Sequence, residues 1–588
     1  MVDRGLLMDI VGIDLGTTNS LVGAVVDGKV TLFADAKQDE LLPSVVGLGA
    51  NGELLVGRSA KNRRVLDPLG TASSVKRKMG GAERVRVGDK ELSAVEVSAL
   101  ILGALLDRAE TALGKRPARA VITVPAYFDD AQRQATRDAG ELAGLVVERL
   151  INEPTAAALT YHTGEEQTVL VYDLGGGTFD VSVLERDEGL LEVLQSRGDT
   201  RLGGDDIDRA LTELVLDRLG DGRRRVEADP RAMTRLVEAV ERAKIALSDR
   251  AEVRLFDPFL AGDGAEGVHL DMTLAASDVE RVAKPFVERT LTCIDAALHA
   301  AGIRPADLDR VLLVGGASKM PLVTAMISAH LGRPAQLDSN ADRAVALGAS
   351  LLAGRIGGAD VAEVLVDITP HTLVVGVLSE GAADDLDALA VIPRGTVVPV
   401  ERSQTVMTQH TNQPAAMLPI AQGEEEAFDD NTYLGEVVVE PLPPSPAGSP
   451  VEVTFRLDLS GILYVSATHV ASGTSAETTI SNSPYRLTSQ TRAAAKQAVA
   501  DLRATRQDEA SADQVGSLQP MATDGDLSLA EAMLKRSRRA LETRAAEPSA
   551  ELARAAETTA TLASAVKTRA PEVAELTDAL ADALLDLV

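Results

Sequence analysis

The chain has 588 residues, 45% hydrophobic and 25% charged, which is too long for one core and ordinary for several globular domains. Its net charge of −29 opposes binding to nucleic acid or anionic membranes, and a single cysteine, Cys293, excludes an intramolecular disulfide and a paired-cysteine metal knuckle. Aromatic residues are 2% and tryptophan is absent, so the cores must rest on Val, Leu, Ile and Ala.

Taken from the N-terminus, Asp9 and Asp14 interrupt the first apolar stretch, so it does not read as a signal peptide. No run of about 18 apolar residues follows, so no membrane span is expected and a cytoplasmic location is. Both Met1 and Met8 are open as translation starts. Residues 10–14 and 21–26 read as strands around I-D-L-G-T-T-N-S, with Asp14, Gly16, Thr17, Thr18 and Asn19. Helical patterns cover 93–113 and 129–143, with a strand at 120–124 between them. The opening motif then returns as Y-D-L-G-G-G-T-F-D, with strands at 168–173 and 180–184 around Asp173, Gly175, Gly176, Gly177, Thr178 and Asp180. Helical patterns follow at 205–219, 231–247, 277–301 and 319–331, the third carrying Cys293 as a structural thiol. Glycine turns recur at Gly203-Gly204 and, after a strand at 310–314, at Gly315-Gly316. This alternation argues for an α/β architecture with one phosphate-gripping hairpin in each half of a duplicated domain.

The chemistry of the turns fits that reading. Glycines let backbone N–H groups approach a phosphate chain, Thr17, Thr18 and Thr178 add hydroxyls, and Asp14, Asp173 and Asp180 can hold Mg²⁺ mainly through water. A lone strand–Asp–Gly turn is common punctuation; two copies with flanking strands point to nucleotide. No G-x-x-x-x-G-K-[ST] occurs, which disfavours a P-loop.

Beyond Gly357-Gly358 the pattern changes. Glu363 to Pro370 is a short apolar linker, and residues 371–482 read as an antiparallel β domain. Val451, Val453, Phe455, Leu457 and Leu459 alternate onto one face ahead of a hairpin at Ser460-Gly461, and Pro441 to Pro450 is a loop. Pro414 and Pro419 remove ladder donors. From Thr488 the composition turns to Ala, Leu, Glu and Arg, with helical patterns at 488–508, 528–546, 549–566 and 571–587; Ser528 fits an N-cap and Pro571 a first turn.

These residues resemble the DnaK-type heat-shock chaperones. The match includes I-D-L-G-T-T-N-S, S-V-K-R-K-M-G, V-P-A-Y-F-D-D-A-Q-R-Q-A-T, I-N-E-P-T-A-A-A, Y-D-L-G-G-G-T-F-D-V-S, G-D-T-R-L-G-G-D-D, E-R-A-K-I-A-L-S and L-V-G-G-A-S-K-M-P, and covers most of the chain. The resemblance implies a multidomain protein: an actin-like α/β ATPase domain over 1–360, a linker at 361–370, a β-sandwich peptide-binding domain over 371–487 and a helical lid over 488–588.

It also implies roles. Lys76 becomes the catalytic lysine, Glu153 the carboxylate near metal and water, and Asp14 and Asp173 the holders of the magnesium hydration shell. Thr178 and Asp180 stand near the γ-phosphate and the attacking water. Glu241, Lys244 and Ser248 become adenosine contacts on one helix face, with Gly316, Ser318 and Asp342 opposite. Pro125 and Arg133 relay nucleotide state towards Val364, Leu365 and Val366 of the linker, which is one leucine-like residue shorter than the family's. Arg149 and Asn152 meet a J-domain co-chaperone. Val406, Ala416 and Leu418 line a peptide pocket or belong to plain sandwich core. The acidic run from Ser379 to Asp387 reads as an insertion in a cleft loop.

The implied function is ATP-driven capture and release of extended apolar segments by a monomer. Its cofactors are ATP or ADP and Mg²⁺, with K⁺ a further candidate; its partners are unfolded clients and a nucleotide exchange factor. The alternatives are a dedicated chaperone of iron–sulfur assembly, to which S-S-V-K-R and F-D-D-A-Q-R-Q are similar in wording, a small-molecule kinase on the same fold, and a non-hydrolysing adaptor.

Overall fold

A computed structural model describes residues 9–161, 167–187, 190–262, 267–338, 340–359, 364–379, 385–479, 489–506 and 550–568, with positions 534, 537, 573, 576 and 580. The helices expected at 528–546 and 571–587, with Ser528 and Pro571, lie essentially outside them, as does most of the acidic run after Ser379.

Two sheets of matching design form the first half. In the first, β1 (Ile10–Asp14), β2 (Asn19–Val26) and β3 (Lys29–Leu32) make an antiparallel meander, while β4 (Arg119–Val124) and β5 (Val146–Asn152) add to β1 in parallel. The second repeats the arrangement. Strands β6 (Gln167–Leu174), β7 (Phe179–Asp187) and β8 (Leu190–Asp199) form the meander, and β9 (Arg310–Val314) joins β6 in parallel. Each Asp-Leu-Gly turn therefore sits at the same corner of its own sheet. The strands read as near-continuous apolar runs because both faces are covered, as in Ile10 to Ile13 and Val169 to Leu174.

Helices enclose the sheets. On the first lobe lie α1 (Ala94–Leu113), started by a Ser93–Glu96 capping box, and α2 (Asp130–Leu142), started by Asp129 and Gln132. Between the two sheets run α3 (Glu153–Ala158) and, after α4 (Gly204–Leu219), α5 (Pro230–Ala246) and α6 (Ala276–Ala301) of the second lobe, α7 (Ala344–Ile356). Ile10 and Val121 of the first sheet share a buried cluster with Val171 and Leu312 of the second through Ala156, Ala349 and Leu352. The crossing is tight: a Cβ at Gly348 would stand 1.7 Å from the Ala156 carbonyl oxygen, so only glycine fits.

The linker folds as β10 (Val364–Ile368), pairing in parallel with β8 through Leu190 to Glu192. Its far end, Asp367 and Ile368, pairs with Val397 and Val398, so one strand belongs to the second lobe and to the following domain.

That domain is two packed four-stranded sheets. One has the order β12 (Leu386–Ile392), β11 (Leu373–Leu378), β14 (Ala416–Gln422), β15 (Thr432–Val439); the other has β13 (Val400–Met407), β16 (Pro450–Leu457), β17 (Leu463–His469), β18 (Thr474–Thr479). Val375, Ile420, Val437, Val453, Phe455 and Val465 fill the space between them. Pro419 is accommodated because pairing of β14 with β11 stops at Ile420, so its missing N–H interrupts no bond there. Leu459 departs from the expected face. The strand ends at Leu457, the chain turns at Asp458, and Leu459 is 48% exposed.

Helix α8 (Ser489–Ala504) packs on α1 and α2, burying Ala495, Val499 and Leu502 in the first lobe's core. Arg492 bonds Asp138 at 2.6 Å, Arg503 reaches Asp107 at 3.2 Å, and Arg506 pairs with that same carboxylate. A separate unit spans 507–588 and contains α9 (Ala550–Thr568), with Ala555 and Leu562 fully buried.

Candidate active site

A cavity of about 610 Å³ opens where the two glycine turns face each other. Its lining contains Asp14, Gly16, Thr17, Thr18 and Asn19 from the first turn, and Asp173, Gly175, Gly176 and Thr178 from the second. Lys76, Glu153, Gly204, Glu241, Lys244, Ser248, Gly315, Gly316 and Asp342 complete the expected set present there. The turns meet at close range, since a Cβ on Gly176 would lie 1.9 Å from the Thr18 hydroxyl oxygen.

Each side chain has a local reason for its position. Asp14 ends β1 and accepts from Thr123 Oγ1 at 2.9 Å. Glu153 begins α3 ahead of Pro154, where the helix dipole favours a carboxylate. Lys76 rides a tight turn, Val75–Lys78, is buried, pairs with Glu153 and lies 5.9 Å from the Phe128 ring centre. Asp180 lies outside the lining but accepts from the Tyr127 N–H at 3.1 Å. Gly177, Gly203 and Ser318 also lie outside it, and Ser318 is fully buried with an unpartnered hydroxyl.

The electrostatics are lopsided. Burial, then the Glu153 charge, pushes the Asp14 carboxyl up to about 7 and the Asp180 carboxyl up to about 7. Asp173 is raised well above the usual range by burial and then by Glu153, Asp180 and Asp14. Three buried carboxylates and half-buried Asp14 thus face one buried ammonium, a deficit of positive charge that a divalent cation relieves. Among the described residues no group of three or more acidic, His or Cys side chains is placed to hold an ion directly.

The far end of the cavity has a different character. Lys244 donates to Asp208 at 2.7 Å and Glu241 meets Lys61 at 3.4 Å across the mouth. Ile245 and Leu337, 61% and 42% exposed, bring apolar surface to that end, where Lys319 pairs with Asp342. Sequence reasoning missed Asp205, Asp208, Ile245 and Lys319. Asp205 stood in view in the quoted G-G-D-D, and Ile245 one turn after Glu241 on the same helix.

The residues expected to couple the domains also meet. The Arg133 guanidinium donates to Asn152 Oδ1 at 2.7 Å and to the Ser460 carbonyl at 3.3 Å, and Asn152 Nδ2 donates to Asp367 at 2.8 Å. Arg133 and Asn152 are buried under the linker strand, so Asn152 is not on the exposed surface expected to meet a co-chaperone, while Arg149 is half-buried with Asp367 its main opposing charge. The Pro125 carbonyl accepts from the Phe128 N–H at 3.2 Å on the same corner. Leu365 packs on the shared cluster between the sheets, and Val364 and Val366 bond to β8 through the backbone. Ala416 and Leu418 are buried in the sandwich core, with half-buried Val406 against it.

The family model for Hsp70 protein matches residues 10–586. A protein of Thermotoga petrophila named chaperone protein DnaK is 42% identical over 475 residues, covering 79% of each chain. Those of Thermotoga maritima and Thermotoga neapolitana match to the same extent.

Proposed function

The chain belongs to the Hsp70 protein family, and from that premise we infer how its residues carry out the work of an ATP-dependent molecular chaperone. It is an ATPase of the DnaK kind, and ATP or ADP occupies the inter-lobe cavity. The reading rests above all on the pairing of Lys76 with Glu153 between two facing glycine turns.

In the proposed mechanism the glycine turns cradle the phosphates with backbone N–H groups, and Thr17, Thr18 and Thr178 donate hydroxyls. Asp14 and Asp173 would hold magnesium, which would supply charge neutralisation on the phosphate oxygens. Lys76 orients the attacking water and stabilises charge developing at the γ-phosphate, while Glu153 fixes the lysine. Asp180, held by the Tyr127 N–H, takes up the water's proton. Glu241, Lys244, Ser248, Gly316 and Asp342 grip the adenosine; Ser318 supports that wall from behind. K⁺ is a further candidate beside the phosphates.

Hydrolysis becomes work through the Arg133–Asn152–Asp367 network and the linker strand. The packed arrangement is one state of a two-state element, and its release lets the β domain clasp an extended apolar peptide beside half-buried Val406, with Ala416 and Leu418 beneath it in the core. A J-domain partner docks over half-buried Arg149, with Asn152 beneath the surface there, a nucleotide exchange factor opens the cleft, and the chain works as a cytoplasmic monomer. No observation favours a kinase, an adaptor or a dedicated iron–sulfur role.

The test is ATPase turnover with and without an apolar peptide and a J-domain protein. Stimulation by both is expected. Lys76→Ala should abolish turnover while nucleotide affinity changes little, and a turnover equal to the parent's removes Lys76 from the mechanism.

A further inference from the structure

The turn that carries Lys76 is anchored in an unusual way. Ser74 precedes it with φ 52° and ψ 30°, the left-handed region that a serine enters only against steric cost. Its hydroxyl donates to Asp205 Oδ2 at 2.7 Å, across the cleft on the other lobe. Asp205 opens α4, and its own N–H donates to the Gly176 carbonyl at 2.8 Å. Hydrogen bonds therefore run from the second glycine turn, through Asp205, to the residue two before the lysine. On the other side of Lys76, the Arg77 Nε donates to the Gly177 carbonyl at 2.7 Å and its guanidinium pairs with Asp206. The lysine's turn is held at both ends by the opposite lobe.

We propose that Ser74 is a positioning residue for hydrolysis: its hydroxyl, clasped by Asp205, sets the strained turn so that Lys76 is aligned only when the two lobes are closed on nucleotide. The inference rests on the assignment of Lys76 above. The local backbone cost makes the point. A surface turn gains nothing from a left-handed serine, whereas this one trades that cost for a bond to the loop that reads the phosphates. Breaking the clasp frees the turn and misplaces the lysine, yet leaves the glycine turns and the adenosine end intact. The loss then falls on the chemical step and spares nucleotide affinity.

The experiment measures single-turnover hydrolysis of pre-bound Mg-ATP, and the ATP dissociation constant, in Ser74→Ala, Asp205→Ala and the double variant of the full chain. Each single variant is expected to hydrolyse about tenfold more slowly with affinity within about threefold of the parent, since a hydrogen bond to a charged group is lost. The double variant should be no slower than the slower single one. Ser74→Gly, which suits the backbone while lacking the hydroxyl, carries the same expectation should alanine unfold the turn. Hydrolysis at the parent rate in Ser74→Gly overturns the inference. So do losses that multiply in the double variant, or a slowing matched by an equal loss of affinity. Lys76→Ala run in parallel separates the two ideas. If it abolishes hydrolysis while Ser74→Gly is unaffected, only the clasp fails; if it hydrolyses normally, the assignment beneath it fails.

Discussion

Lowering the pH should loosen the packing of the β domain on the nucleotide domain, and one side chain sets the effect. His371, just past the linker, meets the Tyr127 ring edge-on at 4.4 Å, with Nε2 3.4 Å from the Tyr127 carbonyl oxygen. Burial, opposed by the bond to that carbonyl, lowers its pKa from 6.5 to about 4; Arg133 and Arg394 push it down and Glu424 pushes it up. The sign follows. Above pH 6.5 the ring is neutral in both packed and released states, so packing keeps its full strength. Between about 6.5 and about 4 the released state binds a proton that the packed state refuses, and packing weakens steadily; below about 4 the loss is complete. The interval of about 2.5 pKa units corresponds to about 3 kcal/mol for a fully buried ring. His371 is only half-buried, so screening reduces this to about 1–2 kcal/mol, a factor of about 5 to 30 in the packed-to-released ratio. Donor and acceptor dyes on the two domains, followed from pH 8 to pH 5 with ATP present, read the ratio. His371→Leu should flatten the profile, and an identical pH dependence in the two proteins would refute the reasoning.

Three further outcomes follow from the packing. Gly348→Ala places a methyl against the Ala156 backbone; it should cost at least about 2 kcal/mol, seen as a lowered melting temperature of the nucleotide domain, and an unchanged melt contradicts the tight crossing. Asp107→Ala removes the carboxylate shared by Arg116, Arg503 and Arg506, so α8 should detach more readily by about 1–2 kcal/mol, with the difference shrinking in high salt; limited proteolysis near residue 506 checks it. Asn152→Ala leaves Arg133 and Asp367 without a shared partner at a cost of about 1–3 kcal/mol, and ATP should then no longer accelerate peptide release.

The sequence made some of this legible and hid the rest for physical reasons. Both glycine hairpins were readable because a buried strand, a carboxylate and a glycine turn are contiguous, and contiguous signals survive without tertiary knowledge. The helices on the sheets were readable from their period, and the patterns at 93–113 and 129–143 match α1 and α2 to within one residue at each end. The linker's strand-like character was readable too, but its partner was not, since Leu190 to Glu192 lies far back in the chain. The clasp from Ser74 to Asp205 was hidden likewise: G-G-D-D shows the acid, but nothing local shows that it crosses a cleft. Leu459 continued the alternation past the true end of its strand because period alone does not see the turn that Asp458 makes through its bonds to Ser460 and Ile462. Arg133 would pass for an ordinary solvated helix charge, and only the fold buries it.

Because five linker residues complete one sheet and touch the next, the release proposed above would leave the rim of β8 bare along Leu190 to Glu192. A bare rim of that kind welcomes any extended chain, including a neighbour's linker. The chaperone thus carries, in its own switching element, the same adhesive hazard that it exists to suppress in others, and crowded molecules arrested between states should clump through that rim.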